Sequence, residues 1–262
     1  MKRNSMNTHQ LWIAYYTIVR KEVVRFLRIW PQTFLPSVIT TVLYFLIFGT
    51  FIGSQIKSMG GVSYMAFIVP GLVMMAILNG AFQNIAFSFF QLKFMKTVEE
   101  ILVSPMPAWT VVLAYVTGSL LRGLIIGMLV FLSAFIFEVI PVVHPFYALL
   151  IASTTAVLFS LAGLINAIYA KGFDGINIVP TFVIIPLTYL GGVFYSLTLL
   201  PPVWQTISHF NPVLYMVSAF RYSILGFSDI SFVTCIGVLI GCVAVLFTWV
   251  LYLFKTGRGL RT

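Results

Sequence analysis

The chain has 262 residues, 60% of them hydrophobic and only 8% charged, with a mean hydropathy of +1.05 and a formal net charge of +9. Soluble domains carry about 25% charged residues, so this balance excludes a soluble globular protein and points to a chain that crosses a bilayer repeatedly. Lipid offers no partners to backbone amides, so the spans must be helices or a closed barrel. Barrel strands alternate apolar and polar residues; runs such as "LVMMAILNGAFQNIAF" (72–87) do not. The fold class is therefore an all-α polytopic membrane protein.

Residues 1–31 read as a tail followed by an amphipathic helix. Lys21, Arg25 and Arg28 recur on one face of 11–30, while Val19, Val23, Phe26 and Trp30 recur on the other. This is the pattern of an interfacial helix with its basic side toward headgroups; an ordinary charged flank before a span is the simpler alternative. No short apolar region with a small-residue cleavage site precedes Gln32, so no cleavable signal peptide is expected. Residues 32–262 read as one domain with six spans near 32–53, 63–90, 108–137, 146–170, 176–198 and 231–254.

Lysines and arginines orient these spans. With the N-terminus in the cytoplasm, that side holds Lys2, Arg3, Arg20, Lys21, Arg25, Arg28, Lys93, Lys96, Lys171, Lys255, Arg258 and Arg261. The outside holds only Lys57 and Arg221. This asymmetry is a positive-inside signal for two cytoplasmic termini. It also accounts for the +9 without a nucleic-acid partner. Trp30 and Trp109 fall at cytoplasmic span ends, as in an aromatic belt. Gly49/Gly53, Gly123/Gly127 and Gly237/Gly241 have the small-xxx-small spacing that permits close helix packing.

The segment 189–230 is too apolar for a solvated loop, yet Gly191, Gly192, Pro201, Pro202 and Pro212 forbid one continuous helix. Two short outer helices that re-enter the membrane between spans five and six fit both facts; an apolar outer loop is the alternative. Cys235 and Cys242 are seven residues apart on one helix, roughly 10 Å, too far for a mutual disulfide.

No phosphate-loop, HExxH or G-x-S-x-G motif occurs, and His9, His144 and His209 are scattered, so no metal site and no catalytic residues are expected. No carboxylate falls in the middle of a predicted span; Glu138 lies at the outer end of the third. Arg122 is the one charge well inside a span, about 14 residues in and roughly 20 Å deep. That is long for snorkelling, so it is expected to face the bundle near a pathway. Arg221 and Asp229 flank the outer entry to the last span and either pair or anchor the interface.

Between spans two and three stands "KTVEEILVSPMP" (96–107), carrying two of the six acidic residues. Thr97 with Glu100 matches a capping box, and both glutamates fall in the first turn, where the helix dipole favours them. Pro105 and Pro107 end the helix. A short cytoplasmic helix is expected, either as a connector or as a knob for a partner.

This stretch resembles the G-T-x-E-x-L-x-x-S-P signature of ABC type-2 exporter permeases, and "PLTYLGGVFYSLTLLPPVWQTISHFNPVLYMVSAFRY" (186–222) resembles their closing motif. Lys96 stands where a glycine is common, and Tyr195-Ser196 replaces an aromatic-proline pair. The resemblance covers nearly the whole chain. It implies a bacterial inner-membrane permease subunit, not an enzyme, that pairs as a homodimer or with a close relative. Two copies of a separate ATPase would supply ATP and Mg; no cofactor belongs to this chain. Thr97, Glu99, Glu100, Ile101, Leu102 and Pro105 would form the coupling helix, and Lys21, Arg25 and Arg28 would lie on the connecting helix beside it. Gly191, Gly192, Pro201, Pro202 and Pro212 would shape the outer re-entrant gate. A non-transporting platform for envelope assembly and an ion-coupled carrier are the other readings. Aromatic residues, 16% of the chain, suit glycans and amphiphilic lipids, but lipid-facing and packing positions are the commoner reason for them, so polysaccharide, glycolipid and small amphipathic drugs all stay open as substrates.

Overall fold

The computed structural model describes residues 6–53, 55, 58–59 and 61–260. Lys2, Arg3, Lys57 and Arg261, used in the charge count, lie outside them. Among the described residues the regular elements are helices, apart from one Met59–Val62 β-bridge. Helix α1 (Thr8–Arg28) starts earlier than expected, because Asn7 and Gln10 form a reciprocal capping box ahead of the apolar pattern. Helix α2 (Trp30–Tyr44) has Pro31 in its first turn and widens into π turns over Phe45–Ile52. Helix α3 (Tyr64–Phe94) is capped by Ser63, whose hydroxyl accepts the Ala66 amide. The short α4 (Val98–Val103) leads to α5 (Ala108–Ala134), and α6 (Pro145–Tyr169) follows.

Phe173–Tyr189 is one apolar helical run in three pieces: α7 (Phe173–Val179), π turns over Pro180–Ile184, and α8 (Ile185–Tyr189). At 17 residues it is shorter than the expected 176–198 span, since Gly191 and Gly192 end it early. A 3-10 turn at Leu197–Leu199 precedes α9 (Pro202–Ser208), α10 (Pro212–Leu225) and α11 (Phe232–Thr256). Pro202 and Pro212 each sit at the first position of a helix, where their missing amide costs nothing. Among the described residues five helices are long and apolar enough to cross a membrane: Trp30–Ile52, α3, α5, α6 and α11.

α3 is the axis, packed on α5, α6 and α10. Its most apolar window is 89% buried, against 11% for Trp30–Ile52 and 17% for α11, so those two carry the lipid- or partner-facing surface. Gly123 and Gly127 bring α5 against Ala81 and Ile77 of α3, as their spacing predicts. Gly237 and Gly241 instead face open space.

The two ends of the bundle are distinct. At one, Lys93 donates to the Ile168 and Ala170 carbonyls, and Val98 packs in an apolar cluster with Phe90, Ile168 and Leu260. This end gathers the C-termini of α3, α6 and α11 around α4. At the other, Ser63 bonds both Glu138 carboxylate oxygens at 2.6 and 2.7 Å, and the Val143 and His144 amides donate to the Ile224 and Ser223 carbonyls of α10.

Candidate functional site

α4 is a single short stub of six residues, and its start differs from the expected capping box. Thr97 is itself helical (φ −69°, ψ −14°) and makes no side-chain cap. Lys96 takes the left-handed conformation (φ 60°) instead; its amide donates to the Lys93 carbonyl at 3.0 Å and its carbonyl accepts the Glu99 amide at 3.2 Å. The turn at Lys96 therefore satisfies a first-turn donor before Thr97 can act. Val98 is buried and anchors the stub, while Glu99 and Glu100 are exposed and Ile101 and Leu102 half-buried. Ser104 is extended, as a residue before proline must be, and Pro105 is exposed beyond it. An acidic edge thus projects from a buried apolar root.

The expected common basic face of α1 is divided. Lys21 and Arg28 are exposed, but Arg25 turns into the bundle and donates to Glu22 Oε2 at 2.7 Å and Asn84 Oδ1 at 2.8 Å. Glu22 was passed over in the sequence and is the best buried acid of the described residues, at 0% exposure. Ser88 of α3 donates to its Oε1 at 2.6 Å. Asn84 also donates to Ser119 of α5 at 2.9 Å, and Arg122 Nη1 reaches Asn84 Oδ1 at 3.3 Å. A Cβ on Gly118 would lie 2.6 Å from Glu22 Cβ, so only glycine lets α1 approach α5 this closely. The product is a charge cluster that ties α1 to both helices flanking α4. Arg122, the deep charge of the sequence, points into it.

Near the other end, Arg221 is 1% exposed and, of its two expected readings, meets Asp229 as a partner. Its Nη2 donates to the Gly192 carbonyl at 2.7 Å, Nη1 lies 4.0 Å from Asp229, and its guanidinium stacks 3.8 Å above the Phe67 ring. Asp229 in turn accepts from Ser196 Oγ at 2.8 Å and the Leu197 amide at 3.1 Å. Gly192 supplies the turn (φ 70°), and Gly191 is pressed against Val213. Arg221 thus helps to pin the 189–230 segment to α3, beside the Tyr64 hydroxyl, which donates to the Phe194 carbonyl at 3.1 Å.

A third feature runs along the outer face of α2 and α3. Ser37, Thr40, Thr41 and Tyr44 face Asn79 and Gln83 across a cavity of about 270 Å³. Gln83 is exposed nearly two-thirds of the way along α3, within its apolar run.

A family model described as ABC-2 type transporter matches residues 13–225, from within α1 to the end of α10. The chain belongs to the ABC-2 type transporter family. The inner membrane transport permease YadH of Escherichia coli K12 is 51% identical over 254 residues, covering 97% of this chain and 99% of that one. Nodulation protein J of Rhizobium leguminosarum bv. trifolii is 24% identical over 216 residues, covering 82% and 81%. This ABC-2 permease is accordingly a transport protein, not an enzyme, and a multi-pass protein of the inner membrane. Membership implies pairing with an ABC ATPase subunit. No group of three or more metal-ligating side chains occurs among the described residues.

Proposed function

We propose that the chain is the membrane-spanning permease subunit of an ATP-binding-cassette exporter, moving an amphiphilic or glycan-type substrate out of the cytoplasm. Hydrolysis of ATP with Mg belongs to two copies of a separate ATPase. The observation that carries this reading is α4: a stub rooted by Val98 with Glu99 and Glu100 free at the basic end of the bundle. α4 is then the coupling helix and α1 the connecting helix. The charge cluster around Glu22 passes their movement to α3 and α5.

Parity supports six spans, and the lysine and arginine asymmetry supports a cytoplasmic α4 end. α6 ends beside α4, and α11 starts at the Arg221 end and finishes beside α4 again. Phe173–Tyr189 is then the sixth span of this reading, and its length of roughly 25 Å nearly spans the hydrocarbon. α9 and α10 are the outer re-entrant pair, set by Pro201, Pro202 and Pro212. A second copy pairs across the α2–α3 face, where the polar groove with Gln83 lines the path.

ATP-dependent accumulation of substrate in inside-out vesicles holding permease and ATPase tests this. Accumulation that needs a proton or sodium gradient and no ATP would favour an ion-coupled carrier. No accumulation with intact envelope assembly would favour a platform. Asn79→Leu/Gln83→Leu is expected to leave assembly with the ATPase intact and to cut transport about tenfold or more, as loss of positioned hydrogen bonds does. Unchanged transport would remove the groove from the path.

A further inference from the structure

Beside α4 lies a cavity of about 400 Å³ whose chemistry the coupling role does not use. Phe90, Phe94 and Tyr169 form its aromatic wall, and Lys93, Lys96 and Lys171 line it; among the described residues no carboxylate does. Phe173 packs behind the wall, its ring centroid 5.1 Å from Phe90 and 5.2 Å from Phe94. Lys93 is committed to the α6 carbonyls. Lys96 and Lys171 are exposed and belong to no ion pair among the described residues.

Lys96 is the informative residue. It is the only non-glycine among the described residues with positive φ. Glycine takes that conformation without strain, and a lysine does not. Local strain retained in this way calls for a return from the side chain, and this one projects charge into an aromatic cavity.

We propose that this cavity binds the phosphate headgroup of an anionic amphiphile from the cytoplasmic leaflet, with Lys96 and Lys171 as its ligands. It rests on the reading that the α4 end is cytoplasmic. Basic pockets between helices on that side suit anionic headgroups. The half-exposed Phe94 and Tyr169 belong at the depth of the glycerol and first methylenes. The volume fits one headgroup and is too small for a helix of a partner protein.

The test is native mass spectrometry of the purified, detergent-solubilised permease titrated with phosphatidylglycerol, phosphatidylcholine or inorganic phosphate. Wild type is expected to retain phosphatidylglycerol in preference to the other two. Lys96→Gly/Lys171→Gln should weaken that retention roughly 30-fold. Lys255→Gln/Arg258→Gln, which removes as much charge outside the cavity, should not. Lys96→Gly also relieves the strained φ, so the loss cannot be ascribed to misfolding if the thermal midpoint holds or rises. Equal loss in both double variants, no loss in the first, or equal retention of inorganic phosphate would overturn the proposal. So would lost ATPase co-purification with lipid retention intact, which would assign the lysines to the ATPase. Labelling of Val103→Cys by an impermeant maleimide in intact cells reports the orientation separately, so failure of that reading is distinguishable from failure of the site.

Discussion

Glu22→Ala is expected to destabilise the permease by about 3 kcal/mol and to uncouple what folds. Removing one partner of a buried ion pair costs about 3–5 kcal/mol, because the other charge is left uncompensated. Here the cost falls at the lower end, since the Arg25 side chain is 28% exposed and keeps a route to water. Ser88 also loses its acceptor, and Arg25 and Arg122 are left to share Asn84 Oδ1. Like charges then meet where α1 must pack against α3 and α5. Glu22→Gln retains an acceptor for Ser88 and is expected to be milder. The measurement is the thermal midpoint in detergent, followed by transport per ATP hydrolysed for the folded fraction. Glu22→Ala with a wild-type midpoint and wild-type coupling would contradict the role given to the cluster.

Arg221→Ala is expected to cost a similar amount, about 3 kcal/mol, at the opposite end. The variant strips the Gly192 carbonyl of its donor, leaves Asp229 without a cation and empties the space above Phe67. Arg221→Lys is expected to recover only part of this, because an ammonium cannot stack flat on Phe67 while donating sideways to a carbonyl. Asp229→Ala should cost less alone, since the ion pair is long and Asp229 serves mainly as acceptor for Ser196 and Leu197. The double variant should show coupling well below the Arg221 single effect. Limited proteolysis reads the same prediction: cleavage should appear within 189–230 in Arg221→Ala while α3 and α5 stay protected. Cleavage distributed along the whole chain would contradict a local pinning role.

How much of this was legible depends on the range of the forces involved. Five of the six expected spans appear as long apolar helices, and Pro202 and Pro212, expected as breakers of one continuous helix, begin α9 and α10. The length of Phe173–Tyr189 was overestimated because apolar residues 193–198 continue the hydropathy signal after Gly191 and Gly192 have ended the helix. The capping box at Thr97 fails for a local reason that only dihedrals reveal: the left-handed turn at Lys96 takes over the donor. Arg25 was misread because helical periodicity groups it with Lys21 and Arg28, while its partner Asn84 lies 59 positions away. Glu22 did carry a signal: a lone acid three residues before an arginine, in a chain with six acids, invites an ion pair. That the pair is buried requires Gly118, Ser88 and Asn84, which no spacing in α1 predicts.

The central claim is that energy enters this permease through α4. Its most direct measurement is co-purification of the cognate ATPase with tagged permease, comparing wild type with Glu99→Lys/Glu100→Lys. Both side chains are exposed, so charge reversal leaves the fold intact and the thermal midpoint within about 0.5 kcal/mol equivalent of wild type. The account predicts that the ATPase is lost from the variant, by about tenfold or more at physiological salt, and that substrate-stimulated hydrolysis is lost with it. A variant that retains the ATPase in full and hydrolyses ATP at the wild-type coupled rate would contradict it.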